Sequence, residues 1–152
     1  MKRRSSKIVV LAFVFILSLF SFTNKQVTTG KIFVTVYNIK NNSGKVLLSL
    51  YNSSADYPTN PDKAFRKAAS PIVNNTASFV LDAVPYGTYA VAVLHDENDN
   101  LEMDSNFMGI PKEGLGASRD AKGSMGPPKF EDAKFQVSTP STSLKIKMNY
   151  IF

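Results

Sequence analysis

The sequence predicts an all-β protein, an antiparallel β-sandwich of about seven strands in the immunoglobulin-like or transthyretin-like manner. Three observations predict it. Short runs rich in Val, Ile, Phe and Tyr recur from residue 31 onward, and such residues favour strands. Asn, Gly and Pro clusters punctuate those runs, as hairpin turns require. No long segment shows the 3.6-residue apolar repeat of an amphipathic helix. Two antiparallel sheets packed face to face satisfy this pattern. A small barrel is the alternative, because strand signals do not distinguish closure from stacking.

The elements follow in order. Residues 31–39 (KIFVTVYNI) put Ile32, Val34 and Val36 on one face; Asn41, Asn42, Ser43 and Gly44 make a turn, and residues 46–51 return as the second arm of a hairpin. Residues 53–69 hold Pro58 and Pro61 and read as a loop with one short helical turn. Residues 70–73 and 76–81 flank Asn74 and Asn75, a pair that tolerates positive φ and closes a second hairpin. Pro85 and Gly87 turn the chain into residues 88–94, apolar on both faces and therefore a central strand covered on both sides. Residues 96–129, with five glycines and three prolines, form a long Gly-rich loop too broken for regular structure. Residues 134–137 and 143–150 close the fold; the latter alternates Leu144, Ile146 and Met148 with polar neighbours.

The chain of 152 residues suits one domain at 31–152 behind a targeting segment at 1–22 and a polar spacer at 23–30. Lys2, Arg3, Arg4 and Lys7 precede an apolar run over residues 8–22, the pattern of a signal peptide. The run is short for a bilayer span, but no Ala-x-Ala site follows, so an uncleaved anchor is the alternative. The expected location is the bacterial cell envelope, periplasmic or secreted, with contact to membrane only through that segment. Cysteine is absent, which removes disulfides, thiolate nucleophiles, Cys-based zinc sites and lipoprotein anchoring together. The four basic residues of the targeting segment carry much of the net charge of +6. What remains is too near neutral for a phosphate-binding surface, so nucleic acid is not expected as a partner.

Three ordered motifs are PYGTYAVAVLHDENDN at residues 85–100, MGIPKEGLG at 108–116 and GPPKFEDA at 126–133. With them the chain resembles the bacterial family catalogued as domain of unknown function 2141 over most of its length after the targeting segment. The resemblance implies an exported protein and no particular activity. The PYGTY turn is also similar to that of transthyretin-like and collagen-adhesin B-type domains, with Tyr89 packing at a sheet corner.

Asp96, Asn98, Asn100, Glu102 and Asp104 space oxygen donors as a calcium loop does, with Glu102 contributing its backbone carbonyl. Two positions depart from an EF-hand: Leu101 stands where glycine is usual, and Phe107 where the twelfth-position glutamate would be. A looser calcium loop that fixes a strand end is one reading, and a solvated Asx-rich turn is the other.

His95 is the sole histidine and the weak candidate for a catalytic base. Its neighbour Asp96 points to the opposite face of a strand, and Ser118 and Ser124 lack a nucleophile-elbow motif. Glu113, Arg119, Asp120, Lys122 and Lys129 form a mixed-charge surface, a candidate binding rim. The leading expectation is a non-catalytic exported module, calcium-stabilised, that binds a protein or glycan ligand. The rival is an envelope hydrolase using His95 with loop carboxylates, for which His95 must face a pocket beside Asp104 or Glu113.

Overall fold

The computed structural model describes residues 28–124 and 126–151, so the expected targeting segment at 1–22 and most of the expected spacer lie outside the described residues. Among the described residues there are eight strands: β1 (Thr29–Tyr37), β2 (Lys45–Tyr51), β3 (Arg66–Pro71), β4 (Ala77–Pro85), β5 (Gly87–Asp96), β6 (Gly114–Ala117), β7 (Phe135–Val137) and β8 (Ser141–Lys147). One short helix, α1 (Phe130–Ala133), precedes β7, and the single turn expected in residues 53–69 is a 3-10 turn at Pro61–Lys63. The spacer ends earlier than expected, since Thr29 and Gly30 already belong to β1.

The strands form two sheets. One has the order β4-β1-β8; the other has the order β3-β2-β5-β6, with β7 paired to the opening residues of β5. Period-two patterning explains which residues turn inward. Ile32, Val34 and Val36 of β1, Phe79 and Leu81 of β4 and Ile146 of β8 meet Val46, Leu48 and Leu50 of β2 and Val91 and Val93 of β5 in one buried cluster. The strand β5 is central as expected. Its other face, at Ala90 and Ala92, packs in a second cluster with Tyr51, Tyr57, Phe130 and Ala133.

Four expectations are corrected. The first two strands are not a hairpin: β1 is bonded on both edges, to β4 and β8, and β2 pairs with β3 and β5 instead. The Asn74–Asn75 turn forms as read, with φ of 51° and 58° and Val73 and Thr76 bonded to each other. It nevertheless carries the chain from one sheet to the other rather than closing a hairpin, because β3 pairs with β2 and β4 with β1. The sheets are not wholly antiparallel, since β1 and β8 run parallel. Finally, the Gly-rich loop contains regular structure, β6, bonded to Ala92–His95 of β5. Its small residues are what the site demands: a Cβ on Gly116 would lie 2.9 Å from Ile146 Cγ2, Lys147 O and Val93 Cγ2.

Candidate functional site

β5 delivers His95 and Asp96 to the same end of the sheet on opposite faces, as alternation requires. His95 is buried, with Nε2 2.9 Å from the Ser43 carbonyl and Nδ1 2.8 Å from the Tyr150 hydroxyl. The Tyr150 oxygen also accepts the Lys40 backbone N–H at 3.0 Å. Facing a carbonyl, Nε2 donates its N–H to Ser43, so both ring nitrogens are engaged. Burial raises the Tyr150 hydroxyl's pKa against the lowering effect of the Lys40 bond, and the Glu97 charge adds to the rise. This knot ties the 38–44 link and the chain end to β5. It does not place His95 in a pocket beside Asp104 or Glu113.

Asp96 turns the other way and is buried too. Its Oδ1 accepts the Asn100 N–H and its Oδ2 the Leu101 N–H, each at 3.1 Å. Asn98 Oδ1 accepts the Asn100 N–H at 3.1 Å, and Asn100 Oδ1 the Glu102 N–H at 2.8 Å. The amides of Asn98 and Asn100 donate to Asp104 at 2.6 and 3.3 Å. The expected residues Asp96, Asn98, Asn100 and Asp104 are therefore brought together, while Glu102 contributes its backbone N–H to the ladder and leaves its side chain exposed. The sharp turn that glycine would make is made without it: Asp99 and Leu101 take φ of 61° and 67°.

Glu113 is the residue that sequence reasoning misplaced. It was expected on an exposed mixed-charge surface, yet it is buried, and its two carboxylate oxygens accept the N–H of Glu97 at 3.0 Å and of Asp104 at 3.1 Å. One side chain thus straps both ends of the acidic segment to the start of β6. Nothing local marks it, because its burial depends on β6 pairing with β5. Asp120 likewise has a partner, accepting the Lys147 N–H at 2.8 Å.

Charges at the rim are paired. Lys40 Nζ lies 2.6 Å from Glu97 Oε1, and Lys45 Nζ 2.9 Å from Asp99 Oδ1. Burial pushes the Glu97 carboxyl upward, but the bonds from Lys40 and Asn41, with the Lys40 charge, outweigh it and hold the group below its ordinary value. Among the described residues, Asp96, Asp104 and Glu113 form no ion pair with Lys or Arg. The buried pair, Asp96 and Glu113, and the half-buried Asp104 are balanced here by N–H donors alone, an arrangement a hard cation would complement. The donor set is all oxygen, as calcium prefers. Among the described residues, however, no three Asp, Glu or His side chains converge closely enough to hold an ion by themselves. A cation here must also draw on the Asn98 and Asn100 amide oxygens and on backbone carbonyls.

No curated protein and no solved structure matches the chain. The family model described as an uncharacterized protein conserved in bacteria, DUF2141, matches residues 34–145, from within β1 to within β8. That match spans every element of both sheets and the acidic loop and covers more than half of the chain, which therefore belongs to the DUF2141 family.

Proposed function

We propose that this protein is an exported, non-catalytic module of the bacterial cell envelope, an immunoglobulin-like β-sandwich whose acidic loop takes up calcium and presents a surface to a protein or glycan ligand. The sandwich reading is supported by the single cluster of buried residues drawn from both sheets. The observation that carries the calcium reading is the pair of buried carboxylates, Asp96 and Glu113, which organise the loop without a cationic side chain. Calcium would be held by Asp96, Asn98, Asn100 and Asp104, with the Glu102 carbonyl and Glu113 within the same segment. Its role is to brace the loop, because the carboxylates that would hold it already bind the loop's backbone N–H groups. Against the hydrolase reading stands His95, buried and bonded through both nitrogens.

The test is thermal unfolding of the purified protein with excess calcium and with chelator. An ion that binds only the folded chain stabilises by about 2.7 kcal/mol at a hundredfold excess over Kd, which raises Tm by several degrees. The shift should vanish in an Asp96→Asn, Asp104→Asn double variant. Identical melting with calcium and with chelator removes the calcium brace and leaves a turn stabilised by its own Asx bonds.

A further inference from the structure

Ile32, Val34 and Val36 turn one face of β1 into the core, so the alternate residues of the β4-β1-β8 sheet form an outer face. That face is open, with Phe33 40%, Tyr37 39% and Val80 54% exposed. Register fixes its layout. Val80 and Ser143 flank Phe33, Ser78 and Lys145 flank Thr35, and Lys147 lies beside Tyr37. The sole acid in the three strands is Asp82, and it is taken by Lys31 at 2.7 Å. Among the described residues, Lys145 and Lys147 form no ion pair; the Asp120 carboxylate at that edge accepts the Lys147 backbone N–H instead.

Such a face unites three chemistries. Aromatic rings present a negative π-surface that takes up C–H groups, the Thr35, Ser78 and Ser143 hydroxyls both donate and accept hydrogen bonds, and two unpaired ammonium groups attract carboxylates. A polysaccharide that bears carboxylates offers the complement of each. Phe33 and Tyr37 stand about 13 Å apart along β1, so an extended polymer reaches both rings and a single sugar does not. The same composition argues against other occupants. Protein interfaces are depleted in lysine and serine, and a bilayer takes up apolar groups that project into it, whereas these two rings are more than half buried in the sheet face. We propose that the outer face of the β4-β1-β8 sheet binds an anionic polysaccharide along β1, stacking its rings on Phe33 and Tyr37 and drawing its carboxylates to Lys145 and Lys147. The proposal rests on the reading of this protein as a ligand-binding module and names the ligand. It needs no calcium, because none of the candidate calcium donors belongs to these strands.

The test is isothermal titration of the purified full chain with polygalacturonate and with hyaluronate, calcium being chelated throughout. The wild type should bind at least one of them, less tightly at high salt. Methyl-esterified polygalacturonate, which keeps the rings and loses the charge, and polyglutamate, which has charge without sugar rings, should each bind at least about tenfold more weakly. A Phe33→Ala, Tyr37→Ala variant and a Lys145→Gln, Lys147→Gln variant should each lose at least about tenfold in affinity at unchanged melting temperature. Both lysines are exposed, so the lysine variant decides the matter even if the aromatic variant melts early. A wild type that binds neither polymer, that binds polyglutamate as tightly, or whose folded variants bind as well as it does would overturn the proposal. So would binding that appears only when calcium is restored, which would move the polymer to the acidic loop, or binding to phosphatidylethanolamine–phosphatidylglycerol vesicles that Phe33→Ala abolishes, which would assign the face to a lipid surface. Calcium-dependent melting is read separately, so its absence leaves binding in chelator standing.

Discussion

Leu101 stands at a position where a sharp turn favours glycine. The spacing of Asp96, Asn98 and Asn100 called for a sharp turn, and Leu101 was the position where glycine was missing. The chain makes the turn regardless, at φ of 67°, because Asp96 Oδ2 holds the Leu101 N–H. Left-handed backbone costs a branched residue about 1 kcal/mol, and Leu101 is largely exposed. Leu101→Gly should therefore stabilise the protein by about 0.5–1 kcal/mol, read as a higher urea midpoint at unchanged slope. Glu97 supplies a pH signature at the same scale. Folding lowers its pKa below its ordinary value of 4.5, so its contribution is present above the unfolded value and is lost as pH falls through the folded one. The stability gap between wild type and Glu97→Gln should shrink between about pH 6 and about pH 3. A gap that stays constant would show that the Lys40 and Asn41 bonds do not favour the charged form.

Among the strands, β6 was the one hidden from the sequence. Its four residues, Gly114–Ala117, carry two glycines and no β-branched side chain, so intrinsic propensity argues against a strand. It forms because β5 offers an open edge and because larger residues would strike Tyr150 at Gly114 and Ile146 and Val93 at Gly116. Immediately after it, Ser118 closes the region. Its buried hydroxyl accepts the Val91 N–H at 2.9 Å and donates to the Ala133 carbonyl at 2.6 Å, joining β5 to α1. Ser118→Ala leaves a buried donor and a buried acceptor without partners and should cost about 1–3 kcal/mol. Amide exchange should quicken at Val91 and across α1, while β1 keeps its protection. Uniform loss of protection across both sheets would contradict this local role.

For the molecule as a whole, the decisive feature is that two sheets share one core. Ile146 comes from β8 of the three-stranded sheet, is fully buried, and lies beside Gly116 on the other sheet. Ile146→Ala should cost about 2–5 kcal/mol, and far-ultraviolet and aromatic probes should still fall together in one transition. Separate transitions for the two probes would mean that the sheets unfold independently.

The sequence by itself determined that the chain is mostly β, where most strands lie, which side chains of β1 and β8 face inward, and that Asp96, Asn98, Asn100 and Asp104 form one loop. These follow from period-two alternation and Asx chemistry, which act over a few residues. Only the tertiary structure decided that β1 pairs in parallel with β8 rather than with β2, that β3 and β4 part into different sheets, and that Glu113 is buried beneath the acidic loop. Strand partners are chosen by burial shared across the whole chain. Two strands with the same alternation fit either sheet equally well until every edge has been assigned.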